Sequence, residues 1–166
     1  MSETWYPLAL KVGERTLFLL WVSDDWALNR VLADAGGVVS FSDEESAREH
    51  ALAENLTPAP EEDLGLHDLD SAVSWLHAGT EPDCRLLLAI WNLAGDVARS
   101  VSEPFADRGE VLDCVYDRLF FGNNLPSMTP PGELYHPQWT EEELRLLRAT
   151  IQIAVDLIRS RVVTSN

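Results

Sequence analysis

Apolar and polar positions along this chain separate an N-terminal strand-forming part from a helical remainder. Residues 5–12 and 15–22, WYPLALKV and RTLFLLWV, read as two β-strands, and Gly13-Glu14 between them suits a two-residue hairpin turn with glycine first. The second strand is apolar at consecutive positions, so both of its faces need cover. Pro7 places the first strand at a sheet edge or marks its beginning. Residues 23–35, SDDWALNRVLADA, have the composition of a short helix capped by Ser23 or Asp24. Gly36-Gly37 then leads into a third strand, Val38 to Phe41. Ser42-Asp43-Glu44-Glu45 has the S-x-x-E form of a capping box, opening a helix to about Asn55 with Ala47, Ala51 and Leu52 inward.

The prolines and acidic residues around positions 58–63 form a linker or turn, and the pattern turns helical from Asp68. Asp68 or Asp70 caps a short helix that Gly79 ends. Pro82 falls in the first turn of the next helix, where Leu86, Ile90, Leu93, Val97 and Val101 form a core stripe. Gly109 to Phe121 is a further helix with Leu112, Val115, Leu119 and Tyr116 inward. Thr140 and Glu143 make the strongest capping box in the chain. The helix they open carries Leu144, Leu147, Ile151, Val155, Ile158 and Val162 on one face. The predicted fold class is α+β: an N-terminal β-hairpin plus a short third strand with helices, about residues 1–60, packed on a C-terminal helical bundle, about 68–163. All 166 residues are expected to form a single domain.

Charge constrains the choice of partner more than composition does. The formal net charge is −16, and residues 1–70 contribute 15 acidic against 4 basic side chains. Such a field disfavours nucleic acid and anionic membranes and favours solubility or a basic partner. No apolar run reaches bilayer length, and the N-terminus lacks the pattern of a signal peptide, so a cytoplasmic protein is expected. Cys84 and Cys114 both fall in helical patterns and read as free core thiols, with a disulfide as the alternative.

Most catalytic and cofactor motifs are missing. His50, His67, His77 and His136 have no metal-ligand spacing, and the acidic stretch around Glu61 to Asp70 lacks the punctuation of a calcium loop, so neither metal nor cofactor is expected. No nucleophile elbow and no phosphate-binding glycine loop occurs. What remains is a polar stripe, Asn92, Asp96 and Arg99, on the helix from Pro82. Asp96 can pair there with Arg99 or with Arg118 of the following helix. The stripe is either an interhelical network or a support for the loop that follows.

That loop, Gly122 to Pro137, joins two strongly patterned helices and is dense in proline, asparagine and large apolar residues. Gly122 is the expected left-handed residue past the helix end. The prolines and the low charge imply a rigid, ordered loop. Two roles are open. In the first, Leu125, Met128, Leu134, Tyr135 and Trp139 clasp one end of a helix pair. In the second, Asn123, Asn124, Glu133, Tyr135 and His136 face a partner on a pre-ordered backbone.

Trp91–Ala98, WNLAGDVA, and Tyr116–Trp139, YDRLFFGNNLPSMTPPGELYHPQW, resemble a family of small, acidic, uncharacterised bacterial proteins. Its pattern runs W-N-L-x-x-D, then Y-D-x-L-F-x-G-N-N-L-P-x-x-T-P, then G-E-x-Y-x-P-x-W. The resemblance implies an immunity-type protein that neutralises a toxin, and it carries no catalytic residue with it. The leading expectation is thus a non-enzymatic inhibitor of a basic protein, with Asp24, Asp25, Glu61, Glu62 and Asp63 steering and Tyr135, His136 and Asn123 docking. The alternatives are a small hydrolase with Asp96, Arg99, Glu133 and His136 in a cleft beneath the loop, and a homo-oligomer formed through exposed tryptophans.

Overall fold

The computed structural model describes residues 3–23, 29–59 and 65–162. Its spine is the expected hairpin. Strands β1 (Thr4–Val12) and β2 (Arg15–Ser23) pair antiparallel along their full length, Thr4 opposite Ser23 and Val12 opposite Arg15. Gly13 takes φ 61 at the first turn position, where a side chain would be strained.

The chain after the hairpin departs from expectation. In place of a helix over 23–35, its described part forms β3 (Arg30–Val31) and β4 (Ala33–Asp34), followed by β5 (Gly37–Val38) and β6 (Ser40–Phe41). β3 and β6 both pair with β2, whose open edge supplies partners, as in Leu32 N–H to the Leu20 carbonyl at 2.8 Å. β4 and β5 pair with each other around Ala35 and Gly36, with Gly37 at φ 127 and Gly36 N–H donating to Asp34 Oδ1. A ladder on an exposed edge outweighs the weak helical preference of alanine and leucine. The single third strand expected at 38–41 is accordingly broken at Val39. The proposed caps Ser23 and Asp24 fall at and beyond the end of β2, and Asp24 lies outside the described residues.

Helix α1 (Glu44–Ala53) is capped by Asp43 and not by Ser42. Asp43 Oδ1 accepts from Ser46 N–H at 2.8 Å, and this backbone bond holds its carboxyl below the ordinary range. Ala47 and Ala51 are buried, but Leu52 faces solvent. β7 (Thr57–Pro58) and β8 (Leu66–Asp68) then add to β1 in parallel. β1 is therefore interior. Pro7, with no N–H to give, lies between the β7 pairing at Thr4 and Trp5 and the β8 pairing at Ala9 to Lys11.

The helical part follows the sequence closely. α2 (Leu69–Ala78) runs from its Asp68 cap to Gly79 at φ 64. α3 (Cys84–Val101) is capped by Asp83, so Pro82 sits just before it. α4 (Glu110–Gly122) and α5 (Glu141–Val162) complete the bundle. Thr140 and Glu143 form the reciprocal box: Glu143 N–H donates to Thr140 Oγ1 at 3.1 Å, and Thr140 N–H donates to Glu143 Oε2 at 2.9 Å.

Both faces of β2 are covered. Leu17 and Leu19 share one core with Leu8, Leu10, Trp91, Val115, Leu119 and Ile151, so the sheet and the bundle bury their apolar faces together. Leu20, on the other face, packs with Trp5, Ala47 and Ala51 under α1. Leu19 and Leu20 are both fully buried, each contributing ~1.5–3 kcal/mol. α3 is the central helix, in contact with sheet, α2, α4 and α5. No described helix is long and apolar enough to cross a membrane.

Candidate functional site

The loop after α4 is ordered by local chemistry that the sequence only half disclosed. Gly122 belongs to α4 and is not left-handed; Asn124, at φ 50, is. Glycine is required at 122 for space, since a Cβ there would lie 2.6 Å from Cys84 Sγ and 2.7 Å from Pro137 Cγ. Asn124 tolerates the left-handed conformation and clasps the loop with its side chain. Nδ2 donates to the carbonyls of Gly122 at 3.0 Å and Tyr135 at 2.9 Å, and Oδ1 accepts from Tyr135 N–H at 2.7 Å. Between these anchors Glu133 N–H returns to the Pro130 carbonyl at 3.0 Å, with Gly132 at φ 83 in the turn. Arg118 ties the far end, donating to the Gln138 carbonyl and to Glu143 Oε1. Asp96 is thus not the partner of Arg118.

The loop's apolar residues point outward. Phe121 is 54% exposed, Met128 58% and Leu134 62%, with Leu125 and Tyr135 also exposed. Only Trp139 packs on the core, so the expected clasp by the other four is not formed. Phe121, Met128, Thr129, Pro130, Glu133 and Tyr135 enclose a shallow pocket of about 340 Å³. His136 is exposed, while Asn123 is half-buried with its N–H capping α4 at the Leu119 carbonyl.

The polar stripe of α3 sits elsewhere. Asp96 is the one buried charged side chain among the described residues. It accepts from Trp21 Nε1–H at 2.8 Å and from the guanidinium of Arg99. Burial pushes its carboxyl above the ordinary range; the Trp21 bond and Arg99 oppose this, and the nearby charge of Asp107 adds to it. Ser100 Oγ donates to the Asp96 carbonyl and accepts from Val31 N–H, tying α3 to β3. Asn92 Oδ1 accepts from Tyr116 Oη–H at 2.9 Å, and the guanidinium of Arg108 lies 4.0 Å over the Tyr116 ring.

These groups border a cleft of about 550 Å³ between β2, α3 and α4, floored by Gly95 and edged by Asp107 and Arg108. A smaller cavity of about 180 Å³ continues from Trp21 and Asp96 to Leu8 and His67. Burial of His67 favours its neutral form. No residue of 122–137 borders either space, so the stripe does not lie beneath the loop. The four residues of the hydrolase alternative are divided: Asp96 and Arg99 in the cleft, Glu133 in the loop pocket, His136 on the surface.

Gly95, Asp107 and Arg108 escaped the sequence reading. A glycine inside an apolar helical stripe was the available signal, whereas Asp107-Arg108 looks like any polar turn. Asp24, Asp25, Glu61, Glu62 and Asp63, expected to steer a partner, lie outside the described residues. The described tryptophans are buried or half-buried. Cys84 and Cys114 are free thiols, the first buried and the second exposed and so not in the core. No group of three or more His, Cys, Asp or Glu among the described residues is placed to share a metal ion.

The fold is α+β, a mixed sheet with one helix on one face and a four-helix layer on the other. Comparison with protein-family models, curated proteins and solved structures gives no match.

Proposed function

We propose that this chain is a non-enzymatic, cytoplasmic binding protein that docks a basic protein partner on the 122–137 loop, in the manner of a bacterial immunity protein neutralising a toxin. The observation that carries this reading is the outward display of Met128, Leu134 and Tyr135 on a backbone clasped by Asn124, beside exposed Phe121 near the end of α4. Large apolar side chains grouped on the surface mark interaction sites. A pre-ordered loop adds little ordering cost on binding. Glu133 within the apolar pocket suits the aliphatic stem and charged end of a partner's lysine or arginine. The net charge of −16 supports a basic partner, whose approach it speeds.

The test is co-expression with the product of the adjacent gene, followed by affinity capture at low and high salt. A complex that weakens with salt, and weakens further with Tyr135→Ala, is expected. Absence of a complex in both buffers would sink the adjacent-toxin reading.

A further inference from the structure

Among the described residues four charged side chains border the cleft beside α3, and three have partners. Asp96 and Arg99 bind each other, and Arg108 lies on the Tyr116 ring with Asp113 3.7 Å away. Asp107 is the exception. It is half-buried and makes no hydrogen bond or ion pair with any described residue. Gly95 gives it room: a Cβ there would meet Asp107 Oδ2 at 3.2 Å and Arg99 Nη1 at 3.5 Å. Glycine inside a helix costs ~0.5–1 kcal/mol relative to alanine, and here it leaves the cleft floor open beside the carboxylate.

Among the described residues Asp107 is thus the one charged side chain of the cleft without a partner, and a carboxylate held partly out of water in that state is unfavourable. Its field also adds to the burden on buried Asp96. A cation seated at Asp107 relieves both. The rings of Trp21 and Trp91 line the same space, beside Tyr116 whose ring already holds the Arg108 guanidinium, and aromatic faces attract organic cations. A bare metal ion of the calcium type takes six to eight oxygens, whereas the described residues of this cleft offer one free carboxylate. Its volume of about 550 Å³ is that of a small-ligand site.

We propose that this cleft binds an organic cation, an ammonium or guanidinium group, with Asp107 as its counter-ion and the aromatic rings as its flanks. The site is distinct from the 122–137 loop and does not rest on the docking role given to it.

Such a group reaches the cleft on a free small molecule or on a protein side chain, and one titration separates the two. The indole N–H resonances of Trp21 and Trp91 in ¹⁵N-labelled protein are local reporters. Agmatine serves as the free cation, Nα-acetyl-arginine methylamide as the protein-borne one, and Nα-acetyl-citrulline methylamide as the neutral match. Saturable shifts of both indoles with either cation are expected, weakened at least tenfold in Asp107→Asn and in Gly95→Ala and unchanged in the exposed control Asp117→Asn. Response to agmatine alone assigns a small-molecule ligand; response to the blocked arginine assigns a side chain. Equal shifts with the citrulline compound, no saturation with either cation, or undiminished binding in folded Asp107→Asn would overturn the assignment.

Discussion

A methyl group added at Gly122 would lie 2.6 Å from the Cys84 sulfur and 2.7 Å from Pro137 Cγ, so the end of α4, the start of α3 and the end of the loop meet at one point without slack. Gly122→Ala is expected to cost ~1–3 kcal/mol through this overpacking, read as a lower urea midpoint; an unchanged midpoint would mean the three elements do not meet as described. Asp96 makes stability depend on pH. Its folded-state pKa is raised by burial, so its contribution to stability is complete below the ordinary carboxylate value and is lost as pH rises through the raised one. Stability of the wild type relative to Asp96→Asn should thus fall as pH rises from about 4. Asp43, Asp68 and Glu143 have lowered values and act in the opposite sense, losing stability as pH falls. Because they titrate in both proteins, the difference isolates Asp96. A difference that grows in favour of the wild type with rising pH would show that Trp21 and Arg99 outweigh burial.

The reciprocal box at Thr140 and Glu143 starts the 22-residue helix α5, and Glu143 also receives Arg118 from α4. Thr140→Ala should cost ~1 kcal/mol, measured by urea unfolding, with no change at the Asn124 clasp; a loss near zero would mean water replaces the cap fully. Helices such as α5 and α3 were legible because their apolar stripes and caps are local signals. The hairpin was legible because Gly13-Glu14 and the flanking runs agree. Residues 30–38 were not, since their strands exist only by pairing with β2 and with each other, which no local pattern encodes. The site was half legible. Proline and asparagine density located the loop, but which of its side chains face outward depends on the clasp from Asn124 to Tyr135. The separation of the α3 stripe from the loop depends on how α4 lies across α3, and only tertiary packing sets that.

At the scale of the whole molecule, sheet and bundle form the frame, and the frame leaves two distinct surfaces open: an apolar loop face and a polar cleft. The acidic field extends over both at low salt but is screened beyond ~8–10 Å at physiological ionic strength. On the proposed docking role, field would govern encounter, and Phe121, Met128, Leu134 and Tyr135 would govern residence. On the proposed reading, the partner sits on the loop face. Hydrogen–deuterium exchange on the complex with the captured partner tests it most directly. Slowed exchange across 125–135, with little change along α1, is the expected result. Unchanged exchange at 125–135 with protection elsewhere on the chain would contradict it.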